Sequence, residues 1–172
     1  SAPAAGPAGY LAERAQQAGA KRIERVPTVV DTYRYALDES VSQEDDRAPV
    51  IGWIGSPSTQ DYVLALKPAF EAMHREHGAR LVLVGARSEL AVQFGELPVE
   101  VLPWSEASEA EAIAGFDIGI MPLPDGPWER GKCGYKLIQY MACGKAVVAS
   151  PVAGAQADGL VRVLGAAGGN LP

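Results

Sequence analysis

Apolar positions in this chain fall into short continuous runs, and the stretches between them are amphipathic. APVIGWIGSP, Ala48 to Pro57, is one such run, and it predicts a strand at Val50–Gly55 leading into a Gly55-Ser56-Pro57 turn. The pattern then changes to a helical period from about Tyr62 to His77. RLVLVGA, Arg80 to Ala86, predicts a second strand at Leu81–Val84 with a glycine exit. A third is expected at Val99–Leu102, followed by a short Ser/Glu/Ala helix over Glu106 to Ala114. FDIGIMPLP, Phe116 to Pro124, holds a fourth at Ile118–Met121. KLIQYMAC has helical spacing, Gly144 stops it, and Ala146–Ser150 is the fifth strand.

Strands that alternate with helices imply right-handed crossovers and a parallel sheet. Nearly unbroken apolar strands fit burial on both sides. The expected fold class is therefore α/β, a Rossmann-like parallel sheet with helices on both faces. In such sheets ligands sit beyond the carboxyl ends of the strands, where Gly55, Ser56, Trp104 and the loop around Lys132 would lie. The stretch from Tyr10 to Tyr35 reads differently, as a helix, a strand and a Pro-Thr-Val-Val-Asp turn. Leu37 to Arg47, with five acids and one base, reads as an exposed connector.

Charge sharpens the picture at one place. The chain carries a formal net charge of −6, yet Arg130 to Ala157 contains Arg130, Lys132, Lys136 and Lys145 and no acid. A glycine-rich turn opening a helix gathers free backbone N–H groups at the positive end of the helix dipole, which suits an anion. On a helix, Lys132, Lys136 and Gln139 follow at i, i+4 and i+7 and share one face, and Leu137, Ile138 and Met141 occupy the other, core-facing side. Two ammonium groups, the amides around Gly134, Tyr135 and one side-chain amide could converge on a phosphorylated, hydroxylated ligand. A solvated basic face is the alternative. Lys67 and Lys145 lie outside the pattern, and reversing either is expected to do little to binding.

Composition adds limits. The 172 residues, 48% hydrophobic and 21% charged, are one domain's worth of ordinary globular chain. No apolar run approaches the ~20 residues that cross a bilayer, and a cytoplasmic location is expected. SAPAAGPAG has no signal-peptide core and reads as a vector remnant or truncation scar. The acidic balance argues against a nucleic-acid partner. Cys133 and Cys143, on one helix, would lie too far apart to bridge and read as reduced thiols. His74 and His77 lack a third convergent ligand, so no metal is expected.

MACGKAVVAS, Met141 to Ser150, resembles the C-terminal domain of the family 4, GT-B-fold retaining glycosyltransferases almost letter for letter, with Ala146 in place of a proline. Val26 to Asp31 is similar to the family's crossover between domains. The resemblance implies one half of a GT-B fold that binds a UDP- or GDP-sugar donor and needs no further cofactor. It divides the chain into an arm and connector, 1–47, and a donor-binding domain, 48–172, incomplete at its C-terminal end. An acceptor domain would belong to the full-length protein, this piece would be inactive alone, and membrane association of the parent enzyme is left open.

The usual pair of glutamates, eight apart, is replaced in register by Gly131 and Gln139, with Glu129 two residues away. The second glutamate of the family holds ribose hydroxyls, so the resemblance assigns Gln139 to the ribose and Lys132 and Lys136 to the diphosphate. The catalytic residue is not assigned. The same departures suit an alternative, a non-catalytic nucleotide- or phosphate-binding module. A response-regulator-like domain is disfavoured because no acidic cluster follows the first strand.

Overall fold

Every apolar run named above becomes a strand, and all the strands pair in parallel. The structure, a computed structural model, describes residues 7–24, 26–35 and 47–152. Its sheet contains β1 (Val50–Ile54), β2 (Arg80–Val84), β3 (Val99–Leu102), β4 (Ile118–Met121) and β5 (Ala146–Ala149). Their spatial order is β3-β2-β1-β4-β5, a Rossmann-like arrangement whose direction of winding reverses between β1 and β4.

Alternate residues of the strands feed two cores. Ile51, Trp53, Leu81 and Leu83 pack with Val63, Phe70, Leu90 and Phe94. These come from α2 (Gln60–Leu64), α3 (Lys67–His77) and the residues in and around α4 (Leu90–Gln93). On the other side Val50, Ile54, Val82 and Val84 pack with Ile113, Phe116, Leu137 and Tyr140. Here the helices are α5 (Glu109–Ala114) and α6 (Tyr135–Ala142).

Two glycines make the centre of this second core possible. Gly52 and Gly119 are partners across β1 and β4. A Cβ on Gly52 would lie 2.1 Å from the Phe116 ring, and one on Gly119 would lie 2.4 Å from the Tyr140 ring. The paired glycines therefore form a trough into which both rings press, 6.1 Å apart and edge-on. β1 and β4 pair only at Ile51 and Gly52 and then diverge. Beyond that point the Ile54 N–H donates to Tyr140 Oη at 3.1 Å instead of to a strand. Tyr140 is fully buried, and burial pushes its phenol pKa well above the ordinary tyrosine range.

Several expectations need correction. The helix expected from Tyr62 to His77 is divided into a 3-10 turn at Pro57–Thr59, then α2, then α3. Pro68 has no N–H to give the Leu64 carbonyl, so the ladder restarts with Ala69 and Phe70 donating to Leu66. The helix expected from Glu106 starts only at Glu109. Ser105 Oγ accepts from Ser108 N and pairs with Ser108 Oγ, a local turn that competes with helix.

Helix α1 (Pro7–Gln17) forms near the amino end, but among the described residues no strand lies between it and Asp31. Asp31 instead nucleates a turn, with Tyr33 N donating to its side chain and Tyr35 N to its carbonyl. The acidic connector, except Arg47, and the chain from Ala153 onward lie outside the described residues. Among the described residues no helix is long and apolar enough to cross a membrane. No group of His, Cys, Asp and Glu there could hold a metal, and His74 Nδ1 pairs with the Ala79 carbonyl.

Candidate functional site

The carboxyl ends of the strands form one rim, and its parts touch in sequence. Gly55 follows β1 and donates its N–H to the Val84 carbonyl. Gly85 follows β2 at φ +82°, and a Cβ there would lie 2.3 Å from the Gly55 oxygen. The same position borders Trp104, which follows β3. Gly55 also lies against the Trp53 ring, and Lys136 Nζ sits 5.1 Å from that ring's centroid. Ser56 is exposed, with its hydroxyl paired to Ser58 at 2.8 Å.

Lys132 and Lys136 approach this rim from the other side, but not from one helix. Glu129–Gly131 is a 3-10 turn, Lys132 is extended, and Gly134 at φ +69° turns the chain into α6. Only Gly134 tolerates that left-handed angle without strain, so the start of α6 is set there and not at Lys132. Each lysine faces an aromatic ring, Lys132 Nζ at 5.5 Å from the Tyr62 centroid and Lys136 Nζ over Trp53. Neither has an acidic partner among the described residues.

Burial, and then the neighbouring Lys132 charge, lower the Lys136 pKa to about 8. A half-buried ammonium without a counter-ion is a group that an anion would stabilise. Tyr135 is 38% exposed beside it. Lys67 and Lys145 have structural partners elsewhere, the Gln93 and Ala114 carbonyls.

Gln139 belongs to the core side of α6 together with Leu137 and Tyr140, whereas Ile138 and Met141 are only partly covered. It is 2% exposed, and its Nε2 donates to Glu109 Oε1 at 2.7 Å and to Tyr35 Oη at 2.8 Å. Glu109, itself buried, also accepts from Tyr35 Oη and, at 2.6 Å, from Trp104 Nε1. This carboxylate ties the segment after Asp31, α5, α6 and the β3 exit into one polar knot. Burial and then the Glu109 hydrogen bond push the Tyr35 phenol up to about 12.

Trp104 is 52% exposed although its indole N–H is held, so it presents a fixed aromatic face at the rim. Replacing Glu109 with glutamine should cost about 1–2 kcal/mol in urea unfolding, because charge-assisted bonds become neutral and one acceptor becomes a donor.

Sequence reasoning placed Trp104, Lys132 and Lys136 at this rim but passed over Trp53, Tyr62, Tyr35 and Glu109. Trp53 reads as one more apolar strand residue. The available signal for Tyr62 was an aromatic shortly after the glycine turn. The Glu109 knot joins residues up to 104 positions apart and leaves no local pattern. Cys133 is exposed and precedes α6, so the two cysteines do not share a helix, and both thiols are free.

No curated protein sequence matches the chain. The fold is similar to that of a mutant of S. aureus TarM solved in complex with Fondaparinux, alpha-GlcNAc-glycerol and UDP. The TM-score is 0.57 at 13% identity, over 84% of this chain and 28% of that one. This chain thus matches little more than a quarter of the TarM chain's length, on a sheet of GT-B type. The model of the family described as glycosyl transferases group 1 matches residues 48–167, well over half of the sequence. By that match, and with the fold in agreement, the chain belongs to the group 1 glycosyl transferases.

Proposed function

We propose that this chain carries the donor-binding part of a family 4, retaining glycosyltransferase and takes a nucleoside diphosphate sugar, with a UDP- or GDP-sugar as donor. Residues 48–172 would be that part, and 1–47 an arm and connector. The observation that carries the reading is the half-buried Lys136 ammonium, unpaired among the described residues, at the amino end of α6 and the carboxyl end of the sheet. The diphosphate sits between Lys132 and Lys136, near the amides around Gly134 and Tyr135.

The exposed face of Trp104 offers the base a stacking platform, and Gly55 and Ser56 adjoin it along the rim. Gln139, expected from the resemblance to meet the ribose, is buried with its amide donated to Glu109 and Tyr35, so its part is to hold Glu109 and, through it, Trp104. A transferase also needs an acceptor held against the donor, so by this reading the chain alone transfers no sugar.

The second reading is a nucleotide- or phosphate-binding module without transfer chemistry. Gly131 and Gln139, standing where the family has glutamates, favour it. Calorimetric titration separates the two. A sugar nucleotide that binds more tightly than its bare nucleotide supports the donor site. Equal affinities support the module, and no affinity for either removes both.

A further inference from the structure

Glu129 is a buried carboxylate, 7% exposed, and no cation pairs with it among the described residues. Its partner is a phenol: Tyr62 Oη donates to Glu129 Oε1 at 2.6 Å. That bond, then a backbone hydrogen bond and last the Lys132 charge, hold the carboxyl below the ordinary glutamate range against the opposing effect of burial. The turn closes tightly around it. A Cβ on Gly126 would lie 2.5 Å from Glu129 Oε2, so the carboxylate packs directly against this glycine. Arg130 N donates to the Gly126 carbonyl and Lys132 N to the Glu129 carbonyl, so the acid and the lysine belong to one hydrogen-bonded turn.

Tyr62 belongs to α2, on the β1 side of the crevice, whereas Glu129 and Lys132 come from the β4 side. We infer that Glu129 is a positioning residue, which latches the Gly126–Lys132 turn to α2 through Tyr62 and so fixes Lys132 at the anion site with its charge intact. A direct Glu–Lys pair would hold the loop equally well, but it would neutralise the cation and compete with the ligand. Routing the contact through a phenol avoids that. The lysine then rests over the face of the same ring, where the attraction is weak enough to yield to a phosphate. The inference rests on the proposed anion site at Lys132 and Lys136.

Two measurements on the 172-residue chain test it. In titration with inorganic pyrophosphate, Tyr62→Phe and Glu129→Ala should each weaken binding about 5- to 10-fold, as for loss of one hydrogen bond. The double variant should be no weaker than either single one, since both remove the same contact. Glu129→Gln keeps an acceptor for Tyr62 and should stay within about twofold of the wild type. Additive losses, or a glutamine variant as weak as the alanine one, would overturn the latch, as would tighter binding in both Glu129 variants, the result expected if the carboxylate only repels the anion.

The second measurement needs no ligand. Amide hydrogen exchange at Arg130, Gly131 and Lys132 should rise about tenfold in Tyr62→Phe and remain unchanged in Glu129→Gln. Unchanged exchange in Tyr62→Phe overturns the latch even if pyrophosphate binds. A wild-type protein that ignores pyrophosphate instead sinks the anion site, and the exchange result still decides whether the turn is latched.

Discussion

Replacing Lys136 with alanine is expected to weaken nucleotide-sugar binding by about 1.5–3 kcal/mol while leaving the fold at least as stable as before. The loss is that of a charge-assisted hydrogen bond to phosphate, about 10- to 150-fold in affinity. Retained stability follows from the burial of Lys136, because an ammonium half-removed from water without a counter-ion opposes folding. Its pKa, lowered from 10.5 to about 8, says the same in terms of pH.

A cation with a depressed folded-state pKa is most unfavourable to folding below about pH 8. That cost is relieved as the pH rises from about 8 toward 10.5. Binding should run the other way. The anion needs the charged lysine, so affinity should fall as the pH is raised above about 8, and also as salt is added. Isothermal titration of wild type and variant against UDP- and GDP-sugars at pH 7 and pH 9 measures both effects. Unchanged affinity in the variant would return the lysines to a solvated basic face.

The largest effect on stability is expected at Tyr140. Tyr140→Ala should cost about 3–5 kcal/mol in urea unfolding, the range for emptying a fully buried aromatic position. The cavity would open on the trough made by Gly52 and Gly119, and Phe116 would lose its edge-on partner. Tyr140→Phe keeps the ring and removes only the hydroxyl. It should cost about 1–3 kcal/mol, because the buried Ile54 N–H then has no partner at the point where β1 and β4 separate. A phenylalanine variant as stable as the wild type would show that another group, or water, reaches Ile54. Since the crevice between β1 and β4 leads to the proposed donor site, the same variant should also loosen nucleotide binding.

The strands were legible because burial on both faces leaves nearly unbroken apolar runs, and all five lie within one residue of their expected bounds. The basic turn that carries the proposed anion site was legible in outline for a different reason. A glycine turn, two lysines and an absence of acids survive as a local pattern whatever the rest of the chain does.

Its geometry was not. Reading Lys132 onto the helix with Lys136 and Gln139 assumed one continuous period, whereas Gly134 at a positive φ precedes α6, which starts at Tyr135, three residues after Lys132. Gln139 looked like a free polar group on the basic face. It is buried because Tyr35 and Glu109, distant in sequence, supply the partners that make a buried amide tolerable. Trp53 and Glu129 likewise changed meaning once their neighbours were known, one becoming the surface beneath a lysine and the other the anchor of a loop.

By itself, then, the sequence determined an α/β chain with five buried strands, a helix beginning near a glycine-rich turn, and a concentration of positive charge at that turn. These follow from periodicity, turn chemistry and composition, which act over a few residues. Only the tertiary structure decided which aromatic ring each lysine faces, which polar groups are buried with partners, and how the two sides of the crevice are joined. Those depend on side chains brought together by the crossovers of a parallel sheet. Tyr62 and Glu129 are 67 positions apart, Tyr35 and Gln139 are 104 apart, and no window along the chain contains both members of either pair.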